Sequence, residues 1–247
     1  MQRPSWRGVL QAGLLLLCGA GLLHISLLTD LCLRYVKESM RPLLIASGAV
    51  LLLLGVASLL LDRPRAGEAS HGHDHSGLPR VAWLLLLPAL SLLVYAPPAL
   101  GAYTASRQPA KAIAERRSFE PLPATSPLPI TLSDFTGRVQ QDRGRAIEGR
   151  TVLMTGIVTP HDDHSWDLTR IIISCCAADA QSVKVRIYGG PALPANTWVS
   201  VTGTWHPGGT LGTRSAQVAL DARTVTKVPR PLNGYQDALP LPSTLTR

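Results

Sequence analysis

The sequence predicts an α-helical membrane region with three spans followed by an all-β C-terminal domain, an OB-like five-stranded barrel. Leucine dominates the N-terminal part, in runs free of Lys, Arg, Asp and Glu from Gly8 to Thr29, Leu43 to Leu61 and Val81 to Ser106. Each run reaches the roughly 20 helical residues that cross about 30 Å of hydrocarbon. From Ile130 onward the chain changes to short runs of alternating residues separated by turn residues, the pattern of half-buried strands.

Residues 1–106 form the membrane region, with spans over about 8–29, 43–61 and 81–104. Arg3 and Arg7 precede the first apolar run as they would a signal peptide, but this run is longer than a signal core of about 7 to 15 residues and reads as a retained span. Between the second and third spans lies DRPRAGEASHGHDHSGLPR, residues 62–80, hydrophilic and broken by Pro and Gly. His71, His73, Asp74 and His75 bring three imidazoles and a carboxylate close together there, ligands suited to zinc or another divalent metal.

Residues 107–129, rich in charge, Pro, Ser and Thr, read as a linker. The β domain then covers 130–230, and 231–247 is a C-terminal tail. Ser133 is the expected N-cap of a short helix. Strands are expected over Thr151–Thr159, Trp166–Ser174, Val183–Tyr188, Thr197–Trp205 and Ala216–Val228. Two of them end their alternation in Thr-Gly, at Gly156 and Gly203, and a glycine inside a strand marks the bulge or bend that a small barrel needs.

Two of the four cysteines, Cys175 and Cys176, are adjacent. Within a strand their side chains would point to opposite faces and could not cooperate. A disulfide between them would be strained, because neighbouring Cα atoms lie about 3.8 Å apart and a bridge usually wants about 4.4 to 6.8 Å. If the strand ends there, both thiols can serve one metal, with Asp179, His161 and His164 as further ligands. Buried packing residues, metal ligands and a redox pair all remain open readings of this pair. His206, before Pro-Gly-Gly, reads as a solvated loop residue.

The formal net charge of +8 is spread along the chain, with no Lys/Arg block interleaved with aromatics and only two Phe, so nucleic acid is not an expected partner. No Walker loop, GxGxxG, HExxH or Ser/His/Asp order occurs, and no enzyme is expected.

The segments EGRTVLMTGIV, RIIISCCAADAQSVKVRI and WVSVTGTW, together with the N-terminal helices and the His-rich loop, resemble the YcgQ-type bacterial membrane proteins. Arg170, Ile173, Cys175, Cys176, Ala178, Asp179 and Ala180 carry the most specific part of that resemblance. It implies a multi-span permease of the YcgR type as partner and a role in metal homeostasis. The expected function is therefore that of a membrane-anchored accessory subunit of a permease moving zinc or another metal. A thiol-redox protein using the vicinal pair and a purely structural partner-binding subunit are the alternatives.

The expected location is the cell membrane, multi-pass and in contact with lipid. Counting Lys and Arg near the spans slightly favours a cytoplasmic β domain. Arg3 and Arg7 before the first span and the small-residue run PPALGAYTA that ends the third favour an extracytoplasmic one, which is the expectation adopted.

Overall fold

The computed structural model describes residues 6–61, 99–162, 165–231 and 234–239. The chain divides into two compact units, 1–99 and 100–247.

In the first unit, α1 (Trp6–Leu23) runs into a π-helical turn at His24–Leu28. Short 3-10 turns follow, and α2 (Arg41–Leu61) returns along α1. Glycine sets how closely the two helices approach. A Cβ on Gly19 would sit 2.9 Å from Gly48 O and from Leu52, and one on Gly55 would sit 2.9 Å from Leu16. Small residues of this kind let helix backbones come together where both neighbours and surroundings are apolar. The turn is tied by Arg41, whose Nε donates to Ser26 O at 2.6 Å and whose Nη1 reaches Asp30 at 3.2 Å.

The outer faces remain open, with Leu17 73% and Leu60 74% exposed, which fits lipid contact better than a core helix. By length and composition, Gln11–Leu28 and Glu38–Leu60 can cross a membrane. The first, near the N-terminus, equally fits a signal sequence. Among the described residues there are thus two candidate spans and not three. The expected third span lies, over 81–98, outside the described residues.

Its C-terminal end, however, belongs to the second unit. Gly101 is extended, and α3 (Ala102–Arg107) starts afresh with Ala102 N donating to Asn196 Oδ1 at 2.6 Å. Residues 108–127 follow the surface of the same unit as a bonded strap. Lys111 N donates to Ser182 O at 2.7 Å, Arg138 Nη2 to Glu120 O at 2.9 Å and Arg150 Nη2 to Pro123 O at 2.6 Å.

A two-residue strand, β1 (Leu128–Pro129), then leads to α4 (Leu132–Gln141). Its N-cap is Thr131, whose side chain accepts from Asp134 N, and not Ser133. Leu132, Phe135, Thr136 and Val139 fall on one face at the i, i+3, i+4, i+7 spacing, and that face is buried.

The remaining strands are β2 (Val152–Pro160), β3 (Trp166–Ile172), β4 (Gln181–Tyr188), β5 (Trp198–Trp205) and β6 (Ala219–Lys227), each within a few residues of its expected range. They form a six-stranded mixed sheet in the order β1-β2-β3-β4-β6-β5, with β2 also paired to β5. Only β1–β2 and β4–β6 are parallel.

β2 changes partner along its length: Val152 to Ile157 pair with β5, and Ile157 to Pro160 pair with β3. Gly156 sits at the changeover, where a Cβ would come 2.7 Å from Thr169 O. Gly203 adjoins a register shift in the β5–β6 pair. Both glycines therefore act at bends, as the Thr-Gly pattern suggested. The core they enclose is built from Met154, Val158, Leu168, Val185, Val199, Val201 and Leu220, closed by Phe135 and Val139 of α4.

Gly19→Ala is expected to destabilise the α1–α2 hairpin by about 1 to 3 kcal/mol through overpacking. Gly13→Ala is the control, since a Cβ there meets nothing within 4 Å. Thermal unfolding of both full-length variants in detergent checks this, and equal effects at the two positions would refute the close-approach account.

Candidate functional site

The paired cysteines lie just beyond β3. Ile173 N donates to Tyr235 O at 3.2 Å, and the chain then leaves the strand through Ser174 and Cys175 into a 3-10 turn, Ala177–Asp179, before β4 begins. Cys176 has extended backbone at the start of that turn. Asp179 folds back as a brace: its carboxylate accepts from Ser174 N at 2.9 Å and from Cys175 N at 2.7 Å. Backbone donors in a tight turn need acceptors, and this side chain supplies them.

Having left the strand, the two side chains no longer diverge. Cys175 Sγ and Cys176 Sγ are 3.7 Å apart, with Cys175 exposed, Cys176 half-buried and both free thiols. The Asp179 carboxylate beside the Cys175 thiol, with the contact to Cys176, pushes the thiol's pKa up to about 11. The same thiol and the loop N–H groups hold Asp179 below its usual value. The negative charge of the site thus resides on Asp179, and Cys175 keeps its proton at neutral pH.

A sulfur separation of 3.7 Å is far from the roughly 2.05 Å of a disulfide. It matches the edge of a tetrahedral metal site, since two thiolates about 2.3 Å from a zinc ion stand about 3.8 Å apart. Among the described residues, no group of three or more His, Cys, Asp or Glu is arranged to hold a metal ion. The two sulfurs stand side by side, and the Asp179 carboxylate braces the turn that carries them.

His71, His73, Asp74, His75 and His164 lie outside the described residues. His161 is not brought to the cysteines: it precedes β3 and they follow it, and seven extended residues span about 23 Å. Its Nε2 meets Asp167 Oδ2 at 2.8 Å. Asp167, only 5% exposed, also accepts from Arg186 Nε at 2.7 Å, and Arg186 Nη1 donates to Ser165 Oγ at 2.6 Å. His161 is thus part of a half-buried polar network around Asp167 at the far end of the strand.

His206 is not a free loop residue either. Its Nδ1 meets Asp221 Oδ1 at 2.7 Å and its ring stacks on Tyr188 at 4.1 Å between centroids. Tyr188 OH in turn accepts from Gln217 Nε2 at 2.8 Å. The linear sequence holds no signal for this cluster, because β5 and β6 bring it together by pairing Thr204 with Asp221.

Because about 11 lies two units above the ordinary 9.0, Cys175 should alkylate up to about 100-fold more slowly at pH 8 than an unperturbed thiol, by its thiolate fraction. Asp179→Asn removes the main cause and should recover most of that rate. Mass spectrometry of iodoacetamide-treated protein measures it, and an unchanged Cys175 rate in Asp179→Asn would contradict the assignment.

Residues 138–236, which contain α4 from Arg138, β2 to β6 and the cysteine turn, match the family described as the DUF1980 C-terminal domain. No curated protein and no solved structure matches the chain. The family match fits the resemblance to a YcgQ-like membrane protein, and it carries no assigned function.

Proposed function

We propose that the chain is a membrane-anchored accessory subunit of a permease, of the multi-span YcgR type, and that its C-terminal domain hands over a divalent metal such as zinc at Cys175 and Cys176. The observation that carries this reading is the free thiol pair held 3.7 Å apart at an exposed turn. Two sulfurs fill half of a tetrahedral site, and the remaining positions must come from elsewhere. A half-filled site binds metal less firmly than a closed structural one and suits transfer to a partner.

Location on the domain supports the same idea. Tyr235 bonds Ile173 through its carbonyl and reaches Leu100 O through its hydroxyl at 3.3 Å. The cysteine turn is therefore near the point at which the chain joins the domain from its apolar segment. We further propose that the domain is an OB-like five-stranded barrel. The circuit β2–β3–β4–β6–β5 returns to β2 with one parallel pair, β4–β6, and this supports the assignment. The proposed orientation is extracytoplasmic.

The redox alternative needs a thiolate nucleophile near neutral pH. The high pKa of Cys175 counts against a ready redox nucleophile. A metal must displace the Cys175 proton, so binding should strengthen with pH, by up to about tenfold per unit for each thiol deprotonated. Titration of full-length protein in detergent with Co2+ or Cd2+, following thiolate-to-metal charge-transfer absorption from pH 6 to 8, should show this. Cys175→Ser and Cys176→Ser should each abolish the band. A band that survives in the double variant, or a reversible two-electron thiol titration without metal binding, would overturn the proposal.

Orientation is tested on a cysteine-free background carrying Ser215→Cys, an exposed position. A membrane-impermeant maleimide should label it in intact cells, and labelling only after lysis would place the domain inside.

A further inference from the structure

Arg170 belongs to β3 and, by the two-residue period of a strand, shares the inward face of Trp166 and Leu168. Its side chain is among the largest that are fully buried, at 1% exposed, with the guanidinium 5.0 Å over the ring of Trp198. Nη2 donates to Ala238 O at 3.1 Å, whereas Nε and Nη1 have no partner. A guanidinium keeps its charge inside a protein and offers donors that need acceptors. Two of its three nitrogens are left without one here.

The segment over Arg170, residues 234–239, is held as a bound peptide would be. Tyr235 O adds one rung beyond the end of β3, accepting from Ile173 N, and the Arg230 guanidinium covers the Tyr235 ring at 4.7 Å. Asp237 places its carboxylate on the N-terminus of α4, accepting from Leu132 N at 3.2 Å and from Ser133 N at 2.6 Å. That helix has ten residues, so its first N–H groups and dipole favour an anion there. Asp237 also acts on Arg170 through its charge.

We propose that Arg170, Trp198 and the N-terminus of α4 together form a recognition site for an acidic peptide segment of a partner protein, occupied in the free chain by its own residues 234–239. The internal segment supplies a carboxylate to the helix and one carbonyl to Arg170, which leaves the buried cation short of acceptors. An incoming segment that matches the carboxylate and adds an acceptor at Nε or Nη1 removes that deficit. Because the internal segment is tethered, it competes at a high effective concentration. The site is therefore closed until a ligand with the better acceptor set arrives.

The test uses full-length protein in detergent and a fluorescein-labelled peptide GYQDAL, the sequence of residues 234–239, read by fluorescence anisotropy. Asp237→Asn protein, whose internal segment is weakened, should bind the probe at least tenfold more tightly than the unsubstituted protein. A probe with Asn in place of Asp should lose at least tenfold in affinity for it. Adding Arg170→Gln should abolish binding. Should that double variant fail to fold by circular dichroism, Ser133→Pro serves in its place. Proline is tolerated in the first helical turn and removes the closer of the two N–H groups that donate to Asp237. A protein with a protease site after Val228, cut once folded, should exchange its own segment for the probe. Equal binding of the Asp and Asn probes, or no probe binding to both the Asp237→Asn and the cut protein, would overturn the proposal.

Discussion

The C-terminal domain depends on one strand, β2, being shared between two neighbours. Its first half bonds β5 and its end bonds β3, with Ile157 in both ladders. That sharing requires the backbone of β2 to pass close to β3, and Gly156 is the position where no side chain fits. Because β2 holds both neighbours, every strand from β2 to β6 has a partner on each side. The inward residues then converge on one core rather than on an open face, and β3 is buried almost throughout. A strand so constrained fixes its two ends, one leading from the His161–Asp167 network and the other into the cysteine turn.

Local patterns in the sequence carried the strands, the two described apolar helices and the bending glycines, since alternation, charge-free length and Gly placement are all short-range features. What they could not carry was anything held by polar contacts across long separations. The 107–129 segment lacks apolar periodicity and reads as a tether, yet it is fastened by backbone carbonyls that meet Arg138 and Arg150. Asp237 bonds Ser133 across 104 residues, and no spacing rule links the two. The helix start illustrates the limit on a finer scale: Thr131 and Ser133 are both good caps. Asp237 already serves the N–H groups of residues 132 and 133, which leaves Thr131 to cap residue 134.

The cysteine turn was legible in part. Its polarity marked the end of the strand, but the separation of the sulfurs depends on Asp179, and only the fold shows that Asp179 braces the turn. Its two oxygens are spent on Ser174 N and Cys175 N, which fixes the turn with both sulfurs on the same side. The same carboxylate keeps the Cys175 proton in place. On the proposed reading this has a chemical use: a protonated thiol resists oxidation, because attack on peroxide or disulfide proceeds through the thiolate. A strongly binding metal can still displace the proton. The carboxylate thus sets how readily Cys175 becomes a thiolate, which both metal capture and redox chemistry require.

The buried charges of the domain separate structural from functional roles. Asp167 is enclosed, and both of its oxygens are matched, by Arg186 and His161. Arg138, also buried, has Nη1 without a hydrogen bond, but that atom lies 3.5 Å from Asp142 Oδ2 in an ion pair. Thr159 and Thr169 leave hydroxyl oxygens unpaired, which are neutral groups with a smaller desolvation cost. Arg170 alone among the described residues combines full burial, a charge and two nitrogens with neither a hydrogen bond nor an ion pair. A fold that matches Asp167 so completely is able to match its charges. Arg170 is the exception: Asp237 acts on it through its charge, yet two of its nitrogens have no hydrogen bond, and it meets the 234–239 segment on which the proposed peptide site rests.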